Sequence, residues 1–366
     1  MDTRIRQFSL HGGENESPLL ADVSLARTIL AIVLVVTHGL SSLKGYSGAS
    51  TSWIPVVPVF FFFSGYYIFS NFKRNGSTRS FYLARYKKLW PIMAISILAV
   101  LFLIGLGSNW SMSGYASLAK DVPLWIVAQM SMFQTYYPVS FSALNFPVVN
   151  GSMWFISAIM LIYGFVPLLA ILEQRIPNVL WILGGLSIWI YLLVVGGGIG
   201  PAAKLVLIEA EVEPETQQSL RYVYSFLISP MIYFWMFAAG CLARRHQRWL
   251  LQENGLYWVV GIGLVITLPL ELSGVAKISE TGVSPPWFFL IYVSIWVAIA
   301  RSLPEARHLP NISIGVFVLH IPVNNALIIL GNNSLSLAVG MTIILALVTH
   351  FAFEQPIQRF HSRTSR

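Results

Sequence analysis

Ten stretches of this chain are each about twenty residues long and predominantly apolar: roughly 23–43, 52–72, 90–107, 153–172, 180–199, 224–243, 256–272, 286–303, 312–332 and 335–353. A helix of that length matches the hydrocarbon thickness of a bilayer, and lipid admits only structures that satisfy their own backbone groups. The expected fold is therefore all-α, a polytopic integral membrane bundle of about ten transmembrane helices. Of the 366 residues, 56% are hydrophobic and 10% charged, against about 25% charged in an ordinary soluble domain. That balance leaves too little polar surface to wrap ten such runs in a soluble shell. The segment PLWIVAQMSMF (123–133) is too short to span and reads as interfacial or re-entrant, and 256–272, which runs out in PLELSG, is the weakest of the ten.

Basic residues give the orientation, because cytoplasmic connections collect Lys and Arg. With the N-terminus inside, 17 fall on cytoplasmic segments, including the cluster Lys73, Arg74, Arg79, Arg85, Lys87 and Lys88, and five (Lys44, Lys120, Lys204, Arg221, Lys277) on outer ones. Both termini are then cytoplasmic, with an N-terminal segment 1–22, a transmembrane domain 23–353 and a short tail 354–366. The net charge of +8 reads as topology and not as affinity for nucleic acid. The opening residues lack the apolar core of a cleaved signal peptide, so the first span is expected to remain as a signal-anchor. The lone Cys241 excludes an intramolecular disulfide and a cysteine-built metal site, and no metal is expected.

Within the first span stand Arg27 and His38. Eleven residues make about three helical turns, so the two side chains fall within roughly 20° of one another, with His38 about 16 Å further along the axis. Ionisable residues inside a span mark functional sites by default; the alternative is a polar pair that pins two helices together.

These residues resemble the Arg-X10-His pattern of the acyltransferase 3 family, membrane enzymes that O-acylate sugars and related acceptors from cytoplasmic acyl-coenzyme A. Further pieces follow in the family's order: PVFFFFSGYYI (58–68), FYLARYKKLWP (81–91) with Phe81, Arg85, Lys88 and Pro91 in matching places, MWFISAIMLIYGFVPLL (153–169), SIGVFVLHIPV (313–323) and FAFEQPIQRF (351–360). The resemblance covers essentially the whole chain. It departs at Ile159, where many members carry a Glu, and at Lys88, where Arg is usual; lysine keeps the charge but loses the bidentate fork.

The resemblance implies acetyl-CoA as donor, a cell-envelope or exopolysaccharide glycan or its lipid-linked precursor as acceptor, and a bacterial inner membrane as location. Acyl transfer from a thioester to a hydroxyl needs a base, and imidazole titrates near neutral pH; His38 is the candidate, by direct transfer or through a transient acyl-enzyme. Arg85 and Lys88, three apart on one helical face before Pro91 opens the third span, are candidates for the donor's phosphates. Arg27, between them and His38, would steer the pantetheine arm or a phosphate. His320 either faces His38 across a pore, orients the acceptor or is a core histidine. Ser64 would donate to the developing oxyanion, unless the Ser64–Gly65 pair is only close packing. Trp53, Trp110, Trp125 and Trp154 lie toward the outer face as sugar-stacking or interfacial belt residues. Glu354 is expected to pair with Arg27 or Arg85. The competing function is a transporter or flippase for a small anion or lipid-linked sugar, which also uses intramembrane Arg and His and Pro-broken spans.

Overall fold

The computed structural model describes residues 23–46, 56–108, 111, 118–134, 136–138, 140–141, 150–195, 229–252, 254–272, 286–303 and 309–357. Among them there is no strand. In chain order the helices are α1 (Ser24–Lys44), α2 (Val56–Asn75), α3 (Thr78–Gly107), α4 (Val122–Gln129), α5 (Met153–Arg175), α6 (Val179–Val195), α7 (Ser229–Arg245), α8 (Gly255–Leu272), α9 (Pro286–Ser302), α10 (Ser313–Ile329) and α11 (Leu335–Thr349). A π-helical turn, His350–Glu354, continues α11. By length and composition, four helices can cross a membrane: α1, α3, α5, and α11 with its extension to Ile357. The short segment after Lys120 is the eight-residue α4, with Trp125 buried on the ring of Phe141. Trp125 is thus a core residue and not a belt or sugar-stacking residue. Trp154 is half-buried against Tyr233, and Trp53 and Trp110 lie outside the described residues.

The third span differs from expectation. Pro91 does not open it: α3 is one helix of 30 residues, capped by the Ser77 hydroxyl, with Pro91 buried in its interior. At about 1.5 Å per residue it runs to roughly 45 Å, against about 30 Å of hydrocarbon. Its first turns, with Arg85 and Lys88, are therefore a rigid helical extension and not a loop. The Tyr82 hydroxyl anchors this extension to α5 by donating to the Gly164 carbonyl at 2.7 Å.

The bundle's closest crossing is between α2 and α7. A Cβ added to Gly65 would meet the carbonyl of Phe237, and one added to Gly240 would meet the carbonyl of Phe62, so the backbones touch through small residues. Gly65 is accordingly a packing residue, whereas its neighbour Ser64 is not, as described below. We expect Gly240→Leu to abolish recovery of monodisperse protein in size-exclusion chromatography, because backbone cannot yield as a side chain can and overpacking alone costs ~1–3 kcal/mol. Gly185→Ala, where an added Cβ meets nothing within 4 Å, serves as the control and should elute as wild type. Helix α1 packs against α10, α11 and α2, which places Arg27 and His38 at the centre of the site.

Candidate active site

Two stations lie along α1. At its N-terminal end a cavity of about 320 Å³ is lined by Arg27, Ser64, Tyr67, Arg85, Lys88 and Tyr163 among others. Three cations converge here because Arg85 and Lys88 share a face of α3 and α1 presents Arg27 opposite them. None of the three has a carboxylate among its hydrogen-bond or salt-bridge partners in the described residues. Arg27 and Arg85 each bury an Nε with no hydrogen-bond partner, and rest instead on the rings of Phe60, at 5.5 Å, and Phe81, at 5.9 Å. Ser64, with the Tyr163 hydroxyl donating to it at 3.4 Å, belongs to this cavity; neither His38 nor His320 lines it.

The remaining basic residues of the cluster are engaged elsewhere or exposed. Lys73 pairs with Glu173 at 2.8 Å, and Arg245 pairs with the same carboxylate. Arg74 bonds the Asn71 side chain, while Arg79 and Lys87 are exposed. Glu354 bonds His350 one turn back at 3.0 Å. The expected pairing of Glu354 with Arg27 or Arg85 is corrected: the π-helical turn places its carboxylate beside His350. Sequence reasoning also missed Glu173, whose only signal was an acid at the end of an apolar run.

The second station is a histidine pair. His38 Nδ1 lies 2.7 Å from His320 Nε2, so the two histidines meet in direct contact, with no pore between them. The far nitrogen of His320, Nδ1, is 2.6 Å from the Phe317 carbonyl. A carbonyl can only accept, so His320 Nδ1 carries a hydrogen and donates it. In the neutral ring Nε2 is then an acceptor, and it receives the hydrogen of His38 Nδ1. The chain of donors leaves the lone pair of His38 on Nε2, facing away from His320. Backbone, His320 and His38 thus fix one tautomer, the arrangement that orients a general base. His320 is fully buried, and His38 is exposed.

The turn that carries His320 is held from outside its own helix. Pro322 lies inside α10 and lacks the N–H that would bond the carbonyl four residues back, that of Val318. Asn150 Nδ2 donates to that carbonyl instead at 3.2 Å, and Asn150 is itself held by the Ser152 hydroxyl, which donates to its Oδ1 at 2.5 Å, and by its own bond to Ser96 at 2.7 Å. Neither residue was singled out from sequence. The signal was Pro322 itself, since a proline within a span requires substitute donors.

Between the stations stand three rings from three helices. Phe60, Phe155 and Phe317 contact one another with centroids 4.7–5.9 Å apart. Arg27 lies over Phe60 on one side, and His320 touches Phe317 at 6.1 Å on the other. The arrangement is a cavity lined by three cations and a histidine of fixed tautomer, separated by an apolar wall.

Comparison with known families matches residues 20–353 to an acyltransferase domain, Acyl_transf_3. The chain is similar to Nodulation protein 10 of Rhizobium leguminosarum bv. viciae, 22% identical over 335 residues that cover 87% of this chain and 86% of that one. No solved structure matches.

Proposed function

The chain belongs to the acyltransferase 3 family, and from that premise we propose that it is a multi-pass inner-membrane O-acyltransferase. In this reading it moves acetyl from cytoplasmic acetyl-CoA to a hydroxyl of a cell-envelope or exopolysaccharide glycan or its lipid-linked precursor. One observation carries the reading: α1 joins a cavity of three cations to a histidine whose basic nitrogen is fixed by a second histidine.

The pyrophosphate and 3′-phosphate of coenzyme A match the charge of Arg85 and Lys88, and Arg27, over Phe60, lies beyond them toward the base. For transfer, the thioester of a donor held there has to pass the ring cluster of Phe60, Phe155 and Phe317 to reach His38. The acceptor hydroxyl gives its proton to His38 Nε2 as its oxygen bonds the carbonyl carbon; the carbon–sulfur bond breaks, and the leaving sulfur takes the proton back from Nε2. His320 stabilises the transient imidazolium through the same hydrogen bond that fixed the tautomer. Ser64, placed with the cations, suits the pantetheine amides better than an oxyanion at the histidine pair.

The test is release of free thiol from acetyl-CoA by membranes holding the protein, with and without a crude envelope-glycan fraction. Acceptor-dependent release with label in the glycan is the expected result. Counterflow of labelled solute with no acyl chemistry would overturn it in favour of a transporter.

A further inference from the structure

Pro322 removes one hydrogen bond from the interior of α10, and the donor that replaces it stands 168 residues earlier in the chain. The Val318 carbonyl faces a ring nitrogen with no hydrogen to give. Val318 and His320 are fully buried, so bulk water is out of reach. Asn150 supplies the bond, and its amide is wholly committed to the task. One Nδ2 hydrogen goes to the Val318 carbonyl at 3.2 Å and the other to Ser96 Oγ of α3 at 2.7 Å. Oδ1 accepts from the Ser152 hydroxyl, at the start of α5, at 2.5 Å. With both hydrogens placed and the oxygen held, the amide cannot turn over without losing all three bonds. Its backbone is tied as well, because the Tyr137 hydroxyl donates to the Asn150 carbonyl. Asn150, Ser96 and Ser152 are all buried, so the clamp sits in the interior of the bundle and needs no access from outside.

Phe317 and Val318 present consecutive carbonyls of one turn. The first takes the hydrogen of His320 Nδ1 at 2.6 Å, and the second takes that of Asn150 Nδ2. A buried carbonyl deprived of its donor tilts to find another. Tilting the Val318 peptide unit swings the units on either side of it, one carrying the Phe317 carbonyl and the other the His320 backbone. We propose that Asn150 is a positioning residue of the histidine pair: the bond it gives to Val318 holds the turn in which Phe317 fixes the His320 tautomer, and His320 in turn fixes the lone pair on His38 Nε2. Asn150 touches no substrate and moves no proton. The proposal rests on the acyl-transfer reading, in which His38 is the base, and adds the residue that keeps that base oriented.

The experiment places Asn150→Ala and Asn150→Leu in full-length wild type, in Pro322→Ala and in His38→Ala, with acetyl-CoA as donor and a crude envelope-glycan fraction as acceptor. Alanine at 322 carries the N–H that proline lacks and returns the Val318 carbonyl to a donor in its own helix. Asn150→Ala should lower kcat about ten-fold, the loss of one buried hydrogen bond, with the KM for acetyl-CoA unchanged because the donor cavity is a separate station. Asn150→Leu, which keeps the volume but has no hydrogen to give, should fall as far. In Pro322→Ala the same substitutions should cost less than about two-fold, and in His38→Ala they should cost nothing further. A residue that merely fills space would be replaced by leucine and would be indifferent to the residue at 322. Should Asn150→Ala not be recovered as monodisperse protein, Ser152→Ala, which releases Oδ1, carries the test: kcat should fall by a smaller factor and return in Pro322→Ala. Unchanged kcat, recovery by leucine, losses that Pro322→Ala does not relieve, or a KM for acetyl-CoA that rises as kcat falls overturn the inference and leave the acyl-transfer reading in place. Absence of transfer by wild type overturns that reading and this inference with it.

Discussion

Replacing His38 with alanine is expected to lower acyl transfer by about 10²–10⁴-fold, the usual contribution of a positioned general base, at unchanged KM for acetyl-CoA. The cations of the donor cavity are a separate station, so donor binding should survive. Stability should fall little, since His38 is exposed and the change leaves only His320 Nε2 without its donor. His320 acts through His38, which gives its variants a distinct signature. His320→Ala should cost about 10–10²-fold in kcat with KM unmoved, and His320→Gln, whose Oε1 can accept from His38 Nδ1, should recover part of it. In a His38→Ala background the second substitution should change nothing further, because residues that act as a unit are non-additive. Rates of the purified single and double variants, with protein level checked by immunoblot, decide this. Multiplying effects would make His320 an independent contributor, and full activity in His38→Ala would reduce the pair to packing.

How much of this was legible in sequence depends on distance along the chain. The alignment of Arg27 with His38 follows from eleven residues being close to a whole number of turns, and Arg85 and Lys88 reach one cavity because a spacing of three keeps them on one face. The partner of His38 is 282 residues away, and only the packing of α1 on α10 reveals it. Likewise, Ser64 and Gly65 are indistinguishable as a dipeptide, yet one faces the cavity and the other meets the Phe237 carbonyl. Pro91 misled because proline usually starts or ends a helix, whereas packed spans tolerate it in their interior. Glu354 misled for a related reason: a π-helical turn shifts register by one residue, and no local pattern announced it.

The cation cavity makes the second large prediction, read by trimming the donor and not the protein. If Arg85 and Lys88 hold phosphates, each is a charge-assisted contact of about 1.5–3 kcal/mol, or roughly 10–100-fold in affinity at 1.4 kcal/mol per decade. Arg85→Ala and Lys88→Ala should each raise the KM for acetyl-CoA by that factor with little change in kcat. Toward S-acetylpantetheine, which carries the thioester but no phosphate, both variants should match wild type, and wild type should bind it more weakly than acetyl-CoA by the lost contacts. The apparent advantage of acetyl-CoA should also shrink as salt rises, since part of the site is exposed at Lys88. Arg27 lies deeper, over Phe60, on the path from the phosphates to the base. Its replacement by alanine should therefore slow transfer from both donors. A loss confined to acetyl-CoA would make Arg27 a third phosphate contact, and equal losses with both donors at Arg85 and Lys88 would mean that these residues support the fold of α3 and not the donor.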